Sequence, residues 1–166
     1  AEADPEQLDD DNAVGFMQIG AGHSILLLYS GKTLALARQF KLGVDSFVES
    51  LMTAFDLDYA TADKLFKSGS FDFSENISAA VSSWMHQVSI SLDFIERRYG
   101  KRVESLQLLG PGAGLTVLKE VFASSIGHKV EIWNVFDVLD NLEPPADLEE
   151  SPEMFALALC EAQRIM

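Results

Sequence analysis

The sequence predicts an α/β domain: a mixed five-stranded sheet with helices on both faces. Three observations lead there. Three short apolar segments stand in immediate succession near the start, parted only by glycine-bearing turns. Beyond Gly43 the apolar spacing changes to steps of three and four, and from residue 103 strand-like and helix-like segments alternate. The 166 residues, 48% of them hydrophobic, suffice for one domain with a substantial core and are too few for two ordinary ones. Apolar runs fall far short of the roughly 18 to 20 residues of a membrane-spanning helix, so direct membrane insertion is not expected.

Taken in order, the strand-like segments are Val14–Ile19, Ser24–Tyr29 and Thr33–Phe40. Gly20-Ala21-Gly22 reverses the first into the second and Ser30-Gly31 the second into the third, which makes the three antiparallel. Val44, Phe47, Val48, Leu51, Met52 and Phe55 then share one helical face. The aromatic and methionine side chains of that face read as core rather than as a cofactor box. A shorter helix over 59–67 is broken by Ser68-Gly69-Ser70. A long amphipathic helix runs from Ser74, its expected N-cap, to about Arg98, with Ile77, Val81, Trp84, Val88, Leu92 and Ile95 in one stripe and Gly100 at its close. Residues 103–109 read as a strand, 114–126 as a helix and 129–133 as a strand, an alternation that implies parallel pairing through right-handed crossovers. Ser151-Pro152-Glu153 opens a closing helix with Phe155, Leu159, Ala162 and Ile165 inward. The summed order, β-β-β-α-α-α-β-α-β-α, is the plan of a ribonuclease-H-like domain.

Charge sorts the chain into a body and two acidic segments. The formal net charge is −14, from 12 bases and 26 acids. Residues 1–12 hold six acids and residues 137–153 seven more, with no base in either, so the remaining 13 acids nearly balance all 12 bases. Residues 1–12 therefore read as an acidic disordered lead, residues 13–166 as the domain, and 137–150 as an acidic loop within it. Neither the body nor its edges offers the basic, aromatic-interleaved patch that a phosphate backbone requires, so no nucleic acid partner is expected. A lone cysteine, Cys160, leaves no internal disulfide or multi-cysteine metal site and reads as a small core residue. Asn76-Ile77-Ser78 matches a glycosylation acceptor by chance. The opening Ala1-Glu2-Ala3-Asp4-Pro5 has the look of a piece cut from a longer chain.

Two loops carry the functional signal. Gln18-Ile19-Gly20-Ala21-Gly22-His23-Ser24 joins the first two strands, where glycines let backbone N–H groups approach an anion. Leu109-Gly110-Pro111-Gly112-Ala113-Gly114 joins a strand to a helix, a setting that suits a nucleotide. Turn geometry alone accounts for glycine in either loop; their joint occurrence in this topology is the more informative fact. His23 reads as a solvated loop residue and Arg38 as a surface charge on an edge strand, with phosphate contact and partner anchoring as their functional alternatives. No Ser-His-Asp or Cys-His signature is present.

With these residues in place the sequence resembles the second half of the actin-like ATPase superfamily, and within it the PilM-like proteins of type IV pilus and related secretion machines. Family members carry an Asp-x-Gly-x-x-(Ser/Thr) phosphate loop where Gln18 to Ser24 stand and a glycine-rich adenosine loop where Leu108 to Gly114 stand. Leu36 to Gly43 resembles their strand ending in arginine and then glycine, and Ala62 to Lys67 their Ala-Glu-x-x-Lys helix with the lysine displaced by one. Gly127 to Phe136 and Phe155 to Leu159 resemble the family's last strand region and closing helix. The resemblance runs over about residues 13–166, in order.

The resemblance implies a nucleotide site made from Gln18, Gly20, Gly22, Ser24, Gly110 and Gly112, with ATP and magnesium as the cofactors of the full-length protein and none in this half alone. It also implies departures. The aspartate that holds a magnesium-bound water is Gln18 here, and an amide is a poor ligand for a cation that prefers carboxylates and phosphates. Pro111 replaces a glycine and removes an N–H. The opening half of the fold is missing, so no ATPase activity is expected of this chain by itself. The expected function is a cytoplasmic scaffold, peripheral to the inner membrane through partners that are pilus or secretion assembly proteins, with a degenerate nucleotide site. The surface that faces the missing half favours a homodimer. Two other classes stay open: an ATP-binding switch or ATPase once both halves are joined, and a peptide-binding module whose glycine loops only make turns.

Overall fold

The computed structural model describes residues 13–69 and 73–134. The acidic lead, the acidic loop and the closing helix expected from Ser151 lie outside the described residues.

Alternation of side chains builds the sheet. The strands β1 (Ala13–Ile19), β2 (Ser24–Ser30) and β3 (Thr33–Phe40) form the antiparallel meander expected from the glycine turns. After the helices, β4 (Val103–Leu109) enters beside β1 and β5 (Lys129–Ile132) beside β4, both in parallel, which gives the order β3-β2-β1-β4-β5. Every second residue of the central strands is sealed from solvent: Met17, Ile19, Leu26, Leu28, Leu106 and Leu108 are each 0% exposed. Their neighbours Val14, Phe16, Gln18, Ile25, Leu27 and Tyr29 point the other way and are only half-buried. The period of two thus assigns one face to the helices.

That face is covered by α1 (Val44–Phe55), α2 (Tyr59–Ser68), α3 (Ser74–Tyr99) and α4 (Thr116–Ile126). All six stripe residues of α3, from Ile77 to Ile95, are buried. Trp84 is the hub: its ring meets Phe47 of α1 at 6.0 Å, Phe40 of β3 at 6.5 Å and Phe122 of α4 at 4.9 Å between centroids. These contacts tie three helices and an edge strand into one core. Among the described residues the indole N–H of Trp84 has no hydrogen-bond partner, and the side chain is held there by ring packing.

Four local expectations need correction. Phe55 is 48% exposed and meets Phe73 edge-on at 6.1 Å, because α1 ends there and the left-handed Asp56 turns the chain away from the core. Ser74 is the first helical residue rather than the cap; Phe73 flanks it, and its carbonyl accepts from the amides of Asn76 and Ile77. The helix expected from residue 114 begins at Thr116, since Gly112 to Leu115 form a turn closed by a bond from the Leu115 amide to the Gly112 carbonyl. Arg38 is no free surface charge. Its guanidinium donates to the Gln87 carbonyl and side chain and to Ser91 Oγ, and it lies 5.3 Å from the Phe40 ring centroid, clasping β3 to α3.

Candidate functional site

Parallel pairing of β1 with β4 sets Gln18 opposite Leu109, so the loops that follow both strands emerge side by side. The carboxyl ends of adjacent parallel strands are where open α/β sheets bind ligands. All six residues expected to bind nucleotide lie at this end of the sheet: Gln18, Gly20, Gly22 and Ser24 on or beside the first loop, Gly110 and Gly112 in the second.

The first loop is a tight reversal. The Gly20 amide donates to the His23 carbonyl at 3.1 Å, and Ala21, Gly22 and His23 are exposed. Its carbonyls are spent on α1: Val44 N–H donates to Gly20 O at 3.0 Å and Asp45 N–H to Ala21 O at 2.9 Å. Two of the amides that a helix start leaves without partners are thereby satisfied by the loop itself. Gly43 makes this contact feasible. Its extended backbone suits any residue, but a Cβ at that position would overlap the Ala21 carbonyl.

Ser24 turns away from the loop surface. It is 0% exposed, and its hydroxyl donates to the Leu42 carbonyl at 2.7 Å, tying the start of β2 to the segment between β3 and α1. In the family pattern Asp-x-Gly-x-x-(Ser/Thr), counting from Gln18 puts the exposed His23 in the hydroxyl position. The Gln18 side chain faces the half-buried side of the sheet, where it lines a concavity with Phe16, Leu109 and Trp133.

The second loop is held against the first. Gly112 N–H donates to the Ile19 carbonyl at 3.0 Å, and a Cβ on Gly112 would overlap Ile19 Cγ2. Gly110 has φ of 88°, a conformation that favours glycine, and sits where a Cβ would come within 2.9 Å of Ile19 O. Both glycines are buried, whereas Pro111 and Gly114 are exposed. The sequence pointed to both loops but not to Leu42, Gly43 and Ile19, the residues that lock them. Their roles are contacts between distant parts of the chain.

No protein-family model and no curated protein matches the sequence. Solved structures do. The structure of a PilM–PilN type IV pilus biogenesis complex matches with a TM-score of 0.79 at 24% identity, over 94% of this chain and 46% of that one. The fold is that of the actin-like proteins. MreB5 of Spiroplasma citri bound to AMPPNP matches this actin-like domain with a TM-score of 0.58 at 13% identity, over 97% of this chain and 58% of that one. The ethanolamine utilization protein EutJ from Carboxydothermus hydrogenoformans matches with 0.53 at 15% identity, over 74% and 44%. The actin-like domain described here thus spans about half the length of the first two structures, PilM–PilN and EutJ.

Proposed function

We infer that this chain is the second half of an actin-like, PilM-like scaffold that serves a type IV pilus or secretion-like assembly platform. The observation that carries this reading is the likeness to the PilM–PilN complex, whose TM-score of 0.79 stands well above the 0.53 and 0.58 of the other two actin-like structures. By that likeness the partner is a PilN-like assembly protein, and the scaffold works on the cytoplasmic side of the inner membrane through it. No described helix is long and apolar enough to cross a membrane.

In this reading the nucleotide site is degenerate. Three features support it: an amide in place of the magnesium-directing carboxylate at Gln18, His23 in the hydroxyl position with the neighbouring Ser24 hydroxyl committed to Leu42 O, and Pro111 in the adenosine loop. The test is calorimetric titration of the full-length protein with ATP and magnesium, alongside its Gln18→Asp variant and this half alone. Magnesium-dependent binding that is absent from the parent and gained by Gln18→Asp supports the scaffold with a lost ligand; tight binding by the parent overturns it. Copurification with a PilN-like protein tests the partner. The gathering of both glycine loops at one end of the sheet, in a fold shared with an AMPPNP-bound MreB5, favours a second reading as an ATP-dependent switch when both halves are joined.

A further inference from the structure

The core-facing stripe of α3 leaves the opposite side of that helix to solvent, and the solvent side of an amphipathic helix is ordinarily polar. This one is not polar throughout. Ile90 and Phe94, four residues apart and therefore one above the other on the helix, are 49% and 41% exposed. His86 and Arg97 continue the same line toward the two ends of the helix and Asp93 lies beside it, all three exposed. Single apolar side chains on a surface need no explanation. Two that adjoin on a helix, bordered by a charge of each sign, form a surface with a defined pattern. Its backbone is also fixed: Arg38 of β3 holds the Gln87 carbonyl and Ser91 Oγ along one flank, and the stripe from Ile77 to Ile95 is buried behind it. A partner meets a preformed ridge and has little left to order on binding.

The charges say what fits there. Among the described residues neither Asp93 nor Arg97 has an ion-pair partner. Residues 86–98 hold two acids, Asp93 and Glu96, and two bases, Arg97 and Arg98, so this stretch is neutral in a chain of net charge −14. Two copies can meet on it without the mutual repulsion that their overall charge imposes. The pattern is also self-complementary. An isologous contact requires that residue i meet residue j and that j meet i across a two-fold axis. Two copies of α3 laid antiparallel and crossing at the level of Ile95 bring Asp93 of each opposite Arg97 of the other. A step of about 100° per residue puts Asp93 and Arg97 on one side of that crossing and Phe94 on the other, where it meets its own counterpart. Ile90 lies one turn further out, toward the apolar stem of the other copy's Arg98.

We propose that two copies of this chain associate through the outer face of α3, antiparallel across a two-fold axis, with Phe94 packed on Phe94 and Asp93 of each copy paired with Arg97 of the other. The contact uses neither glycine loop. One helix face from each copy buries less than the ~1,200 Å² of a stable interface, so the dimer is weak and reversible.

Sedimentation equilibrium of the full chain tests it over roughly 5 to 500 μM, the range in which a weak dimer forms. The parent is expected to pass from monomer to dimer. Phe94→Glu, Asp93→Arg and Arg97→Asp should each weaken the association about tenfold or more. Asp93→Arg combined with Arg97→Asp should return it to within about threefold of the parent, a recovery that only a reciprocal pair produces. All three positions are exposed, so circular dichroism and melting temperature should stay those of the parent. Where Phe94→Glu lowers the melting temperature, Ile90→Ser replaces it and must weaken the dimer severalfold. A parent that stays monomeric at the highest concentration overturns the proposal. So does a dimer that these substitutions leave intact, which moves the contact to another surface, such as the open side of the sheet. Failure of the combined exchange to restore what the single ones remove overturns the pairing of Asp93 with Arg97 and with it the antiparallel arrangement.

Discussion

The two glycine loops lie side by side at the end of the sheet yet are built differently, and of Gly20, Gly22, Gly110 and Gly112 only Gly22, in the first, has open space around it. In the first, a Cβ on Gly22 would meet nothing within 4 Å while one on Gly20 would come within 2.6 Å of the His23 carbonyl, and the loop is held through its carbonyls, which accept from the start of α1. In the second, Gly110 and Gly112 are buried, and each lacks a Cβ because Ile19 occupies the space. One loop is free at its tip and tied at its base; the other is packed inward and shows solvent only Pro111 and Gly114 around it. A glycine count treats the two as equal evidence for a phosphate cradle. Their environments do not.

Substitutions sharpen this contrast. Gly43→Ala should have the largest effect, about 3 kcal/mol or more, since its Cβ meets the Ala21 carbonyl and no flexible side chain can yield. Denaturant unfolding measures it, and a change below about 1 kcal/mol would show that the first loop is not locked to α1 as described. Gly112→Ala should cost about 1–3 kcal/mol, because the obstructing atoms belong to Ile19 and Val44 side chains that can shift in part. Ser24→Ala removes the donor to Leu42 O and should cost about 1–2 kcal/mol in the same assay. Gly22→Ala should stay within about 0.5 kcal/mol of the parent, with an unchanged melting temperature. A Gly22 effect as large as that of Gly112 would erase the distinction between the loops.

Much of the fold was legible in the sequence because its signals are local. Period-two patterns and glycine turns marked β1 to β3, and the stripe on α3 held at all six positions. The errors sit where local spacing meets tertiary context. Phe55 keeps the helical period of α1 but lies in its last turn, beyond the reach of the core, and Gly112 to Leu115 spend one turn of chain before α4 can start. The candidate site was legible in place and not in detail. Ser24 shares its parity with Leu26 and Leu28, and that alternation was the available sign that its hydroxyl points inward rather than at a ligand. Gly43 gave no such sign; it looked like a helix boundary, and only the fold brings Ala21 against it.

The clasp made by Arg38 bears on how this domain behaves in a crowded solution. Eight-residue β3 is a border of the sheet, and its outer flank has no strand beside it among the described residues. Such a flank is a template on which another molecule's extended chain can add. Arg38 puts a fixed cation two residues before the end of that border and spends its guanidinium on Gln87 and Ser91, while Lys32 and Lys41 stand just beyond the two ends. The same arginine that fastens β3 to α3 therefore also guards the border against intermolecular strand addition, a contribution to solubility that a melting temperature would not register.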